Sequence, residues 1–156
     1  MPTKIYRGPV TETTPITVEA KLAASVGVVK PGTLLVLVAG EFAKAAAADA
    51  TGKTLYILGE QLAGTINDDI DAADGDSVRA FEVHPNRLYA VRAAAGITLV
   101  NDGQVSIAAG QAAPADTDPE APAPSGRMFY DLPPSALSAL AGATTTAGQL
   151  VPVKYI

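Results

Sequence analysis

Between residues 26 and 110 the chain is punctuated by turn residues at intervals too short for helices of ordinary length. Pro31-Gly32, Gly52-Lys53, Asp74-Gly75, His84-Pro85-Asn86 and Asn101-Asp102-Gly103 separate short runs rich in Val, Ile, Leu, Thr and Tyr. Glycine supplies positive φ, proline presets its own φ, and Asn or Asp tolerates the left-handed region, so each cluster can reverse the chain. The runs between them read as strands: Thr33–Val38, Thr54–Leu58, SVRAFEV at 77–83 and RLYAVRA at 87–93. In the third, Arg79, Phe81 and Val83 alternate with Val78, Ala80 and Glu82, which assigns them to opposite faces. ITLV-NDGQ-VSIA reads as a hairpin. Many short strands joined by turns predict a mainly β fold, a small β-barrel or sandwich-like body.

The flanking segments differ. Residues 1–20 hold three prolines, one glycine and five threonines, poor helix material, and read as an extended N-terminal arm with a short strand at Ile16-Thr17-Val18. Its Ile5, Tyr6, Val10 and Ile16 are more apolar than a solvated tail requires. The β body spans 21–110. EFAKAAAADA at 41–50 is read either as a short helix or as an irregular strand, since its alanines favour helix and its neighbours favour strand. Residues 111–126, with four prolines and three acids, read as a loop. Residues 127–156 are read as a short helix, with Ser135 as N-cap and Gly142 as stop, then a closing strand, QLVPVKYI. Pro152 lacks a donor and is expected to confine that strand to a sheet edge or a first-strand position.

Charge and composition narrow the function. The net charge is −5, which argues against nucleic acid as a direct partner. Residues 1–30 carry Lys4, Arg7, Lys21 and Lys30 against Glu12 and Glu19, a net +2, so the remainder carries −7. With no cysteine there is no disulfide, thiolate nucleophile or Cys-based metal site. Met1-Pro2-Thr3-Lys4 is not followed by a signal-like apolar run, and no run approaches the roughly 20 apolar residues of a membrane helix.

Three candidates for chemistry fail on spacing. NDDIDAADGD at 67–76 holds five aspartates, but with Gly75 as the sixth residue of a calcium loop the ligand positions hold Ile70, Ala72, Asp74 and Phe81, one oxygen ligand of four. The stretch reads as a solvated acidic turn. His84, the one histidine, precedes Pro85 and belongs to a turn, with no nucleophile-elbow motif elsewhere. Gly52-Lys53-Thr54 imitates the end of a phosphate loop, but position 47 is Ala where the motif wants Gly. No enzyme, cofactor or metal is expected.

PGTLLVLVAG, KTLYILGEQLAG, DAADGDSVRAFEV and HPNRLYAVRAAAGITLVNDGQVSIA, in that order after an extended arm, resemble the small decoration or cement proteins of tailed-bacteriophage heads. The Asp74-Gly75-Asp76-Ser77-Val78 step matches a phrase that recurs there, and the likeness covers residues 15–110 and the last few. The resemblance implies a virion structural protein, made in the host cytoplasm, that binds the outer capsid surface and clamps neighbouring major capsid subunits. It implies trimers on the capsid and no catalytic residues. The Ala- and Val-rich strand faces themselves call for a symmetric contact, a homotrimer with a dimer as runner-up. The capsid contact would lie in the arm, with Ile5, Tyr6, Val10 and Ile16 as apolar anchors and Lys4 and Arg7 meeting acidic groups. Such an arm is expected to be disordered in the free protein. A tail or fibre adhesin that binds carbohydrate is the alternative, weakened by only eight aromatic residues.

Overall fold

The computed structural model of the chain describes residues 5–8, 16–46, 53–59, 72–114, 128–132 and 142–155. These form β1 (Tyr6–Gly8), β2 (Thr17–Leu22), β3 (Leu34–Val38), β4 (Glu41–Lys44), β5 (Tyr56–Leu58), β6 (Ser77–Glu82), β7 (Arg87–Ala93), β8 (Ser106–Ala108), β9 (Gln111–Ala113), β10 (Met128–Tyr130) and β11 (Gln149–Tyr155), with no helix among the described residues. The mainly β expectation holds. Of the two readings of residues 41–50, the part described is strand β4, and 47–50 lie outside the described residues. The helix expected from Ser135 also falls outside them.

Strands β2-β4-β3-β5-β6 close into a barrel, sealed by antiparallel β2–β6 and parallel β2–β4 pairing. Leu22, Leu35, Phe42, Tyr56, Leu58, Val78 and Ala80 share its core, with the Phe42 and Tyr56 rings edge-on at 5.4 Å. Leu34, Val36 and Ile57 belong instead to a second core shared with the other sheet. This is why LLVLV is a continuous apolar run without alternation. Its successive side chains enter two different cores, so both faces of β3 need apolar residues.

The second sheet runs β10-β11-β7-β9-β8, with β1 paired to β7. Its core gathers Tyr89, Val91, Ile107, Met128, Tyr130, Val151 and Val153. Tyr89 is the register mark: β1 places Tyr6 opposite it on one side, and β11 places Val153 opposite it on the other. The two terminal strands therefore flank the same stretch of β7.

Three expectations change. ITLV and VSIA do not pair as a hairpin, although their turn forms, with Asp102 at φ 62° and Gly103 N–H donating to Val100 O over 3.0 Å. Thr98 instead bridges Thr144, and Gln104 bridges Phe129 on β10. β8 turns back through Ala109-Gly110 onto β9, inside the stretch expected as loop. β11, expected at an edge, lies between β10 and β7. Pro152 is tolerated there because of its phase. Its carbonyl accepts from Asp131 N–H just past the end of β10, so its missing donor points the same way, while its partner Ala90 donates to Ile5 O on the far side of β7. No β7–β11 bond is lost.

Candidate attachment site

The arm residues divide. Ile5 is fully buried and Tyr6 is 7% exposed. Ile5 O accepts the Ala90 N–H at 2.7 Å, and the Tyr6 ring lies 5.9 Å from Phe81 on β6 and 5.6 Å, edge-on, from Tyr89 on β7. Tyr6 thus bridges the barrel and the second sheet. The Tyr89 hydroxyl beneath it donates to Glu82 O and accepts from His84 N–H, and burial pushes its pKa up. The start of the arm is built into this chain's own core rather than extended from it. Arg7 lies on β1, Ile16 is 44% exposed beside β2, and Lys4 and Val10 fall outside the described residues.

Of the aspartate stretch, residues 72–76 are described, and they form a turn. Asp76 Oδ2 accepts Ala73 N–H, Gly75 has φ 81°, and Gly75 N–H donates to Leu22 O. Asp76 is thereby used by its own backbone, while residues 67–71 lie outside the described set. Among the described residues no three His, Cys, Asp or Glu side chains gather as a metal site would need. His84 sits in the expected turn, its Nε2 3.4 Å from Glu82 Oε1.

Two surface features escaped the sequence reading. A cleft of about 220 Å³ between the barrel and the second sheet is lined by Lys30, Lys44, Arg92, Thr33 and Gln111 among others. Arg92 is buried and held in place by neutral carbonyls: Nε donates to Pro31 O over 2.8 Å and Nη1 to Gly148 O over 2.9 Å. The Pro31-Gly32 turn makes this possible. Gly32 has φ 95°, where a side chain is strained, and a Cβ there would stand 3.3 Å from Arg92 N on β7, so glycine suits the close approach of the turn to β7. Lys30 and Lys44 are exposed, giving three cations from three distant segments one shared surface. No short motif could have announced it.

The second feature is a groove of about 450 Å³ lined by Ile97, Val100, Gly103, Ala113, Pro114 and Tyr130 among others. The Tyr130 hydroxyl is buried with no hydrogen-bond partner among the described residues, and burial pushes its pKa up to about 12.

No protein-family model matches the chain, and no curated protein matches it. Among solved structures it is similar to the head fiber gp8.5 N base of bacteriophage phi29, with a TM-score of 0.50 and 18% identity, over 92% of this chain and 95% of that one. The fold resembles that of a phage head fiber base. The similarity takes in both the barrel and the second sheet, since nearly the whole length of each chain is covered. At that identity it concerns the fold; the residues of the cleft, the groove and the arm are this chain's own.

Proposed function

We propose that the chain is a structural protein of a phage head, seated on the outer capsid surface, where it stabilises contacts between major capsid subunits. The observation that carries the reading is the near-complete coverage between this chain and a domain described as the base of a head fiber. The sequence resemblance to head decoration proteins points the same way by an independent route. The proposed partner is the major capsid protein.

Lys4, Arg7 and Val10 are proposed as the capsid contacts of the arm, which Ile5 and Tyr6 hold to the body. The cationic cleft is proposed as a second contact, because Lys30, Lys44 and Arg92 would suit carboxylates on a capsid subunit. The test is decoration of capsids prepared without this protein. Purified chain is added, and particles are imaged and heated. Ordered density on the outer surface and a raised particle melting temperature are expected. Bare particles at saturating protein would overturn the reading.

A further inference from the structure

Strand β2 is flanked on both sides for only part of its length. Toward β6 it pairs from Thr17 to Lys21. On its other side β4 joins only at Lys21 and Leu22. The hydrogen-bond phase identifies the groups left over. Glu82 N–H donates to Ile16 O, and Leu22 N–H donates to Asp76 O, each over 2.9 Å. Thr17 and Glu19 therefore occupy non-hydrogen-bonded positions opposite Phe81 and Arg79, and their N–H and C=O groups point away from β6, past the start of β4. Among the described residues no group meets them. Exposed main-chain groups of this kind are a template for another strand.

We infer that this edge is a twofold interface in which two copies of the chain pair antiparallel through β2, with the axis at Val18. The register is set by the groups to be satisfied. Setting Thr17 against the second copy's Glu19 gives four main-chain hydrogen bonds. Setting Glu19 against Glu19 would give half as many and put like charges opposite each other, which is unfavourable. The chosen register also fits the inward row. Ile16 falls opposite Ala20, large against small, and Val18 falls opposite Val18. Val18 and Ala20 already pack against the barrel core, and Ile16, 44% exposed, would gain cover. Each Glu19 stands opposite Arg79 of its own β6, so each carboxylate near the axis has a cation beside it. The assembly is the dimer, the runner-up to the trimer among the symmetric contacts expected of these strand faces.

The inference does not rest on the capsid reading, and its main test uses the free protein. The chain has no cysteine, so Val18→Cys places a single thiol at the axis. Facing Cα atoms of a non-hydrogen-bonded pair lie about 4.5 Å apart, within reach of a disulfide. Val18→Cys should oxidise to a covalent dimer much faster than Lys21→Cys, which is more exposed but lies off the axis. Sedimentation of the unmodified chain should show a monomer–dimer equilibrium. Glu19→Pro removes one outward donor per copy and leaves every β2–β6 bond in place, so it should weaken the dimer about tenfold, two of four hydrogen bonds being lost. Thr17→Pro repeats the test should Glu19→Pro fail to fold. Oxidation of Val18→Cys no faster than that of Lys21→Cys, or a dimer indifferent to both prolines, overturns the pairing. A chain that stays monomeric but loses capsid attachment in Glu19→Pro would give the edge to a capsid strand, and would equally overturn it.

Discussion

Ala39 and Ala109 carry a cost that the surrounding hairpins impose. Each is followed by glycine, and both residues of each pair have positive φ: 53° and 82° in the first, 49° and 76° in the second. The pairs link Val38 to Glu41 and Ala108 to Gln111 as two-residue loops, whose twist matches the strands only when both central residues are left-handed. Alanine is a poor choice there, so neither loop announced itself in the sequence, whereas Asn101-Asp102-Gly103 did. Ala39→Asn should therefore raise stability by on the order of 0.5–1 kcal/mol, read as a shift in thermal or denaturant midpoint. Tyr130 offers a test with a pH sign. Its hydroxyl is pushed up to about 12 by burial, while the unfolded chain ionises near 10. The folded state thus favours the neutral form, and the stability present below pH 10 is lost as pH rises from 10 through 12, on the order of 2–3 kcal/mol in all. Tyr130→Phe should flatten that alkaline fall. At neutral pH it should leave the melting temperature unchanged or raised, because a buried hydroxyl without a partner costs about 1–3 kcal/mol.

Among the elements, β1 has the largest consequence for its three residues. The sequence showed Ile5 and Tyr6 as too apolar for a solvated tail, and that much was legible. Whether they would be covered by this chain or by another was not, because the answer depends on β7, some eighty positions away. Ile5→Ala should destabilise the free protein by about 2–5 kcal/mol, as expected for emptying a fully buried site. Deleting residues 2–8 should lower the melting temperature clearly. Replacing 9–15 with a Gly-Ser segment should leave it nearly unchanged while capsid occupancy falls. Equal decoration by that variant would place the contact on the body instead. The strands themselves were largely legible: runs predicted at 33–38, 54–58, 77–83 and 87–93 correspond to β3, β5, β6 and β7 within two residues at each end. Pairing was not. Turn chemistry marks where a chain reverses, but the partner of each run is chosen by the packing of two cores, which joins Thr98 to Thr144 and Gln104 to Phe129.

For the whole molecule, the cationic cleft is the feature least visible in the sequence, since Lys30, Lys44 and Arg92 meet only after barrel and sheet have come together. Lys44→Glu, at an exposed position, should leave the fold intact, weaken capsid attachment and reduce its dependence on ionic strength. Binding measured across a salt series checks this, and an unchanged salt slope would remove the cleft from the contact. The placement of Tyr6 and Val153 on either side of Tyr89 has a further result. Both terminal strands run antiparallel to β7, so they run parallel to each other with one strand between them, a separation of about 10 Å. The start of one lies level with the last residues of the other. A short linker could join them, and the chain could be reopened at the exposed Asn101-Asp102 turn to give a circular permutant with the same two cores. In that permutant β11 would reach β7 only by way of the linker and the whole barrel, a longer path than the natural order gives. Its native contacts would be unchanged but more distant along the chain, so it should refold more slowly than the natural order.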